Sequence, residues 1–201
     1  MLLPPLELAT GGITVQKMLF EPNLSLNGAI SEQTLIFVLS RLDAIRSSGD
    51  PLIMELNTNG GDADVARRVA LEIRFFAKYS GRKCVCTGKS TIYSAGVAVF
   101  PAFPKHARYL TEDAVLLVHE RRLQSSLELN GPIKSCLQIA REQVNFLETA
   151  ERLETESFEE LVAGSQMSLG ELQSQLVSNC YMTASEALRK GHNRRHLVLT
   201  S

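Results

Sequence analysis

The sequence predicts a single α/β domain in which short apolar strands alternate with amphipathic helices around a largely parallel sheet. Three observations carry that reading. Short β-rich runs such as "PLIMEL", "KCVCTG" and "AVLLV" recur between segments with apolar residues at helical spacing. The intervals between those runs suit right-handed crossovers. The chain has 201 residues, 44% of them hydrophobic, which is enough for one domain with a substantial core.

Taken in order, "NLSLNGAI" alternates as a strand does. "SEQTLIFVLSRLDAIRSS" offers Ser31 as a helix N-cap and places Leu35, Val38, Leu39, Leu42 and Ile45 on one face. "PLIMEL" is a buried strand, broken by "NTNGGD". "ADVARRVALEIRFFAKYSG" is a helix with Val65, Val69, Ile73 and Phe76 on one stripe, ending near Gly81. "KCVCTG" is a strand, and "SAGVAVFPAF" is a small, apolar, buried helix stopped by Pro101 and Pro104. "ARYL" and "AVLLVHE" are strands. A long helix then opens with Pro132 in its first turn and carries a seam of Ile133, Leu137, Ala140, Val144 and Leu147. The six acids between Glu148 and Glu160 read as a solvated face. Two short helices, "SLGELQSQLV" and "TASEALRKG", precede a last strand, "HLVL".

Composition narrows the function. With 21 basic against 22 acidic residues there is no electrostatic case for nucleic acid or an anionic membrane. The lack of Trp argues against base stacking. No apolar run reaches the roughly 18 residues of a spanning helix. The start, "MLLPPLELATGG", has no basic residue ahead of its apolar part and two prolines within it, so it does not read as a secretory signal. A cytoplasmic protein is expected. Cys84, Cys86, Cys136 and Cys180 are then reduced thiols, since a lone C-x-C is a weak metal pair. No glycine fingerprint for a dinucleotide or a Walker loop occurs. No metal and no cofactor are expected.

Ser94 and His119 are the chemically suggestive pair, 25 positions apart. Ser94 lies between a strand and a helix of small residues, where the next N–H, that of Ala95, is free. A capping serine would occupy the same place. Ile92 takes the position of the first glycine of a nucleophile elbow, so G-x-S-x-G is absent. His119 ends an apolar strand, where an imidazole suits proton transfer or a plain structural role. In "NTNGGD", Gly60 and Gly61 allow close backbone approach, and an N–H there is either a second oxyanion donor or part of an ordinary turn.

Together "LNTNGGD", "TGKSTIYSAGV", "LLVHE" and "YMTASEALRKG" resemble, in order and spacing, the motifs of the ClpP family of serine peptidases, the proteolytic subunits of Clp protease. The resemblance runs from about Asn23 to the end. It implies the ClpP/crotonase-like spiral of β-β-α units with a protruding long "handle" helix. A single domain is expected over 1–201, with an N-terminal segment at about 1–22 and the handle region at about 120–162. Ser94 would be the nucleophile of a serine endopeptidase and His119 its base, and the N–H groups of Gly61 and Ala95 would hold the oxyanion. The implied assembly is a homo-oligomer of heptameric rings stacked in pairs, fed peptide by an AAA+ unfoldase that consumes the ATP.

The sequence departs from the family in four places. Gln175 stands where the triad aspartate belongs, and no aspartate follows Asp113. Gln175 and nearby Asn179 are the candidates for a third member, as neutral acceptors that orient the imidazole without supplying charge. Glu171, one helical turn before Gln175, is a candidate carboxylate. The glycine-rich strand that pairs with peptide in the family is replaced by "ERRLQSSLELNGP", with Arg121 and Arg122 beside the cleft, which would alter specificity or favour an acidic peptide. The segment from His119 to "SLGEL" is longer than usual, and "GHNRRHLV" lacks the family's ending. Two alternatives therefore stand beside the peptidase: a weakly active or non-catalytic ClpP-like subunit, and a crotonase-type enzyme using the same donors on an acyl-CoA enolate.

Overall fold

The computed structural model describes residues 13–193 and 195–197. Residues 1–12 of the expected N-terminal segment, and the end of the expected last strand beyond Leu197, lie outside the described residues. Short helix α1 (Val15–Phe20) leads into strand β1 (Leu24–Asn27), helix α2 (Glu32–Ser48), strand β2 (Leu52–Thr58) and helix α3 (Ala63–Ser80). Strand β3 (Cys84–Tyr93), helical turn α4 (Gly96–Val99), and strands β4 (Arg108–Thr111) and β5 (Val115–Val118) follow. The C-terminal part comprises α5 (Ile133–Val162), α6 (Leu169–Leu176), β6 (Cys180–Thr183), α7 (Ala184–Lys190) and β7 (Arg195–Leu197).

The sheet is mixed and mostly parallel, in the order β1-β2-β3-β4-β7, with β5 and β6 branching from β3. β3 makes this branch. Its first half pairs with β4 at Cys86, Thr87 and Gly88, and its second half pairs with β5 at Thr91, Ile92 and Tyr93. The strand changes partner at Ser90, which sits at φ +50° with its hydroxyl on Asp113 at 2.7 Å. β6 is the antiparallel member and pairs with β5.

Local chemistry explains the helix limits. Asp62 caps α3 by accepting from the N–H groups of Asp64 at 2.8 Å and Val65 at 3.0 Å. Gly81 closes that helix at φ +63°. The expected stripes of α2 and α3 are buried at Val38, Leu42, Ile45, Val65, Val69, Ile73 and Phe76. They cover one face of the sheet, with Leu24, Leu52, Met54, Cys84, Cys86 and Leu116 beneath them.

Four expectations need correction. The "KCVCTG" strand runs on to Tyr93, because its second half finds a separate partner in β5. The buried helix after Ser94 is a single turn, since Pro101 has no N–H to continue it and the chain tightens into a 3₁₀ turn over Phe100–Ala102. Strand β6 was not expected, because its four residues are wedged between helices and its partner is more than sixty positions away. The acidic run of α5 is not simply solvated: Glu156 pairs with Arg67 at 3.2 Å and Glu160 with Arg74 at 3.0 Å, fastening α5 to α3. The seam at the other end of α5 is a stripe without a cover among the described residues, with Ile133 76% exposed and Leu137 and Val144 exposed.

The four cysteines are free, and Cys84, Cys86 and Cys180 are buried. Burial pushes the Cys84 thiol up to about 11 and raises Cys86 as well, so both behave as small apolar groups. No described helix is long and apolar enough to cross a membrane.

Behind α5, Arg108 is buried with no carboxylate partner among the described residues. It donates instead to the carbonyls of Phe103 at 2.7 Å, Pro101 at 3.0 Å and His192 at 3.4 Å. Burial lowers its guanidinium to about 10. His192 is also buried, with Nδ1–H on the Leu161 carbonyl at 3.2 Å and Nε2 without a hydrogen-bond partner among the described residues. Burial, helped by the charge of Arg108, holds His192 below the usual imidazole range, against the raising effect of the Leu161 bond. The folded protein thus takes up this proton at lower pH than the unfolded chain. Stability is fully present above about pH 6.5 and is lost as pH falls from there towards the folded value. Urea midpoints at about pH 7.5 and about pH 5 are expected to differ more in the parent than in His192→Gln; an equal loss in both removes His192 as the cause.

Candidate active site

Two elements bring Ser94 and His119 to one place. Tyr93 and Leu117 are partners in the β3–β5 ladder, and the Ser94 N–H donates to the Leu117 carbonyl at 2.8 Å. His119 lies two residues after Leu117, one past the end of β5. The ladder therefore delivers both side chains to the same edge of the sheet, where both line a cavity of about 650 Å³. Ser94 sits at φ +55°, an uncommon conformation for a residue with a Cβ. The chain turns there from strand into α4, so a strained strand-to-helix elbow exists without the first glycine of the usual motif.

The "NTNGGD" turn closes on this elbow. A Cβ placed on Gly60 would lie 2.6 Å from Ser94 Cβ, and one on Gly61 would lie 2.2 Å from the Ile30 carbonyl oxygen. Both glycines have left-handed φ, +100° and +144°. Gly61 is held by a parallel bridge to Ile30, while its own N–H and that of Ala95 make no hydrogen bond among the described residues. Because α4 is one turn, its dipole adds little here, and the free N–H groups are what remains of the expected helix-start effect.

The far side of the imidazole is occupied. His119 Nδ1 lies 2.6 Å from the main-chain carbonyl oxygen of Glu120. A carbonyl only accepts, so Nδ1 carries the hydrogen and Nε2 is left as the basic nitrogen. Ser94 Oγ and His119 share the cavity, and no hydrogen bond joins them among the described residues. Neither candidate third member hydrogen-bonds to the ring among the described residues. The Gln175 amide oxygen accepts from Cys180 Sγ at 3.2 Å. Extending the β5–β6 register beyond Val118 and Cys180 brings Asn179 opposite His119, where the chain turns at φ +60° and the Asn179 side chain makes no hydrogen bond among the described residues. Glu171 is taken by Lys190 at 2.7 Å.

The cavity walls were only partly expected. Arg121 lines it as anticipated, but its guanidinium is paired with Asp64 at 3.1 Å and its N–H donates to the Glu154 carboxylate. Arg122 is exposed at the rim. Asp62, Asp64, Glu151 and Glu154 also line the space, so carboxylates outnumber the two arginines and the expectation of an acidic-peptide cleft loses its electrostatic basis. Phe146, Leu147 and Leu123 supply an apolar wall. Glu154 and Asp64 carried no signal in the sequence: one sits in an acidic run, the other beside a helix cap.

A mostly parallel α/β sheet thus brings a serine elbow, a strand-end imidazole and the Gly61 turn to one cavity, with Ala95 lining a smaller pocket beside it. No family model matches the chain. A sequence relative is the ATP-dependent Clp protease proteolytic subunit 2 of Pseudomonas aeruginosa, 28% identical over 131 residues, which are 65% of this chain and 61% of that protein. A structural neighbour is an Asn-to-Asp mutant of ClpP1 from Listeria monocytogenes, with a TM-score of 0.65 at 16% identity, covering 87% of this chain and 90% of that one. The relative and the fold together support a divergent member of the ClpP family.

The Gly60 contact is testable. Gly60→Ala is expected to destabilise the fold by about 1–3 kcal/mol, from left-handed strain and the clash with Ser94, as read by chemical denaturation. A neutral effect would mean that the turn does not press on the elbow.

Proposed function

We propose that the chain is a ClpP-type serine peptidase subunit that cleaves peptides through an acyl-enzyme at Ser94. The observation that carries this reading is the shared cavity, with Ser94 on a strained elbow and the His119 tautomer set so that Nε2 is the free base. In the first step Ser94 Oγ would attack the scissile carbonyl carbon and pass its proton to His119 Nε2. The N–H groups of Gly61 and Ala95 would stabilise the oxyanion. Collapse would break the C–N bond, and the leaving amine would take the proton from the imidazolium. Water, deprotonated by the same nitrogen, would then release the acid and restore Ser94.

The reading extends to assembly. The uncovered seam of Ile133, Leu137 and Val144 suits a contact between copies of the chain, as in stacked rings, and an unfoldase would supply substrate. One domain over the chain, with its handle at about 120–162, belongs to the same proposal, as does a cytoplasmic location. The chain spans 61% of its relative's length, so activity, ring size and partners rest on this reading alone.

One observation favours a second reading, a weakly active or non-catalytic subunit. His119 rests on a main-chain carbonyl rather than a carboxylate, and no hydrogen bond joins it to Ser94 among the described residues. A fluorophosphonate probe separates the two. The peptidase is expected to label at Ser94, with labelling abolished in Ser94→Ala and reduced by about 10²-fold or more in His119→Ala. Intact protein that stays unlabelled while an active ClpP labels under the same conditions supports the non-catalytic subunit. Measurable coenzyme A binding by calorimetry would instead favour a crotonase-type acyl-CoA enzyme.

A further inference from the structure

We infer that Glu154 is the positioning carboxylate of the Ser94–His119 pair, acting on the imidazole through the Glu120–Arg121 peptide group. The inference rests on the peptidase reading for its catalytic meaning. Its geometry stands without it.

One peptide group carries both contacts. Its carbonyl oxygen, on Glu120, accepts from His119 Nδ1 at 2.6 Å. Its N–H, on Arg121, donates to the Glu154 carboxylate. A peptide unit is conjugated, so a negative charge at its N–H end pushes electron density towards its oxygen. Hydrogen bonds in such a chain strengthen one another, by about 10–30% per bond. The carbonyl that orients His119 is therefore a better acceptor than an isolated amide. A carboxylate also lies one peptide group from the ring, where it favours the imidazolium that forms when Ser94 gives up its proton. No proton need travel along the chain, since the imidazole gains and loses its proton at Nε2.

The same peptide group is held at a second point. The Arg121 guanidinium pairs with Asp64 at 3.1 Å, which ties the residue to the start of α3 while Glu154 ties it to α5. That pairing satisfies the guanidinium elsewhere and leaves the Glu154 charge without a salt-bridge partner among the described residues. The charged groups around the ring are Asp62 and Asp64 from α3, Glu120, Arg121 and Arg122 from its own segment, and Glu151 and Glu154 from α5. Of these only Glu154 is bonded to the peptide that holds the ring. The other candidates are engaged or idle: Gln175 on Cys180, Glu171 on Lys190, and Asn179 with no hydrogen bond from its side chain among the described residues.

The test uses the full chain and two independent readouts. The first is the titration midpoint of the His119 ring followed by NMR in a Ser94→Ala background, which needs no activity. Glu154→Gln keeps the shape and an acceptor oxygen but removes the charge, and is expected to move that midpoint to lower pH. Glu154→Asp is expected to restore it in part. Glu159→Gln, which removes one charge from the exposed side of the same helix, is expected to leave it in place. The second readout is the rate of fluorophosphonate labelling. Glu154→Gln is expected to lose about tenfold, the gap between a charge-assisted and a neutral hydrogen bond, with its half-maximal pH displaced downwards. A merely structural role would lower the rate at every pH without moving that point. Folded Glu154→Gln and Glu154→Asp with the parent's midpoint would overturn the inference. A parent that never labels would sink the peptidase reading instead, and the ring titration would still decide whether Glu154 acts on His119.

Discussion

One backbone hydrogen bond organises the cavity: Ser94 N–H on the Leu117 carbonyl, the last rung between β3 and β5. It exists because β3 leaves β4 at Ser90 and takes β5 as a new partner. Without that exchange the elbow at Ser94 would have no strand beside it, and His119 would end a strand elsewhere. The left-handed turn at Ser94 costs on the order of 1 kcal/mol and persists because the ladder on one side and the Gly60–Gly61 turn on the other leave no room to relax. The glycines matter as absences of side chain, since a Cβ at either would strike the elbow or the Ile30 backbone.

The electrostatics around this frame are indirect. A carboxylate bonded straight to an imidazole orients it and stabilises its charged form together. Here the two tasks are divided: the Glu120 carbonyl sets the tautomer, and the Glu154 carboxylate stands behind the same peptide group. Negative charge attenuated through an intervening amide is worth less than negative charge in contact. The ion pair of Arg121 with Asp64 fixes that peptide from outside and takes from the cleft the positive charge that its sequence promised.

Helix α5 links these local facts to the rest of the molecule. Its C-terminal half is sewn to α3 by Arg67–Glu156 and Arg74–Glu160 and buries Phe158 and Leu161. Its middle supplies Glu154 and the apolar cavity wall, and its N-terminal half carries an uncovered stripe. Any load on the exposed end is thus applied to an element that also holds the peptide beside His119. The core under α2 and α3 is conventional by comparison, with large side chains on alternate positions of β1 and β2 meeting the helical stripes.

The amino-acid order alone determined the alternation of strands and helices, the stripes of α2 and α3, and the residues Ser94, His119 and Gly61 that line the cavity, with Ala95 in a smaller pocket beside it. Those features are local, written in periodicity, caps and turn residues, or in motifs kept in order along the chain. Only the tertiary structure decided the partner exchange of β3, the antiparallel β6, and the collapse of the expected buried helix to one turn. It also decided which acid in the run of α5 faces inward. Glu154 stands 35 positions from His119, and nothing in the spacing of either residue says that a helix and a loop will present them to opposite ends of one peptide bond. Contacts of that kind depend on how elements pack, and packing answers to the whole chain rather than to any stretch of it.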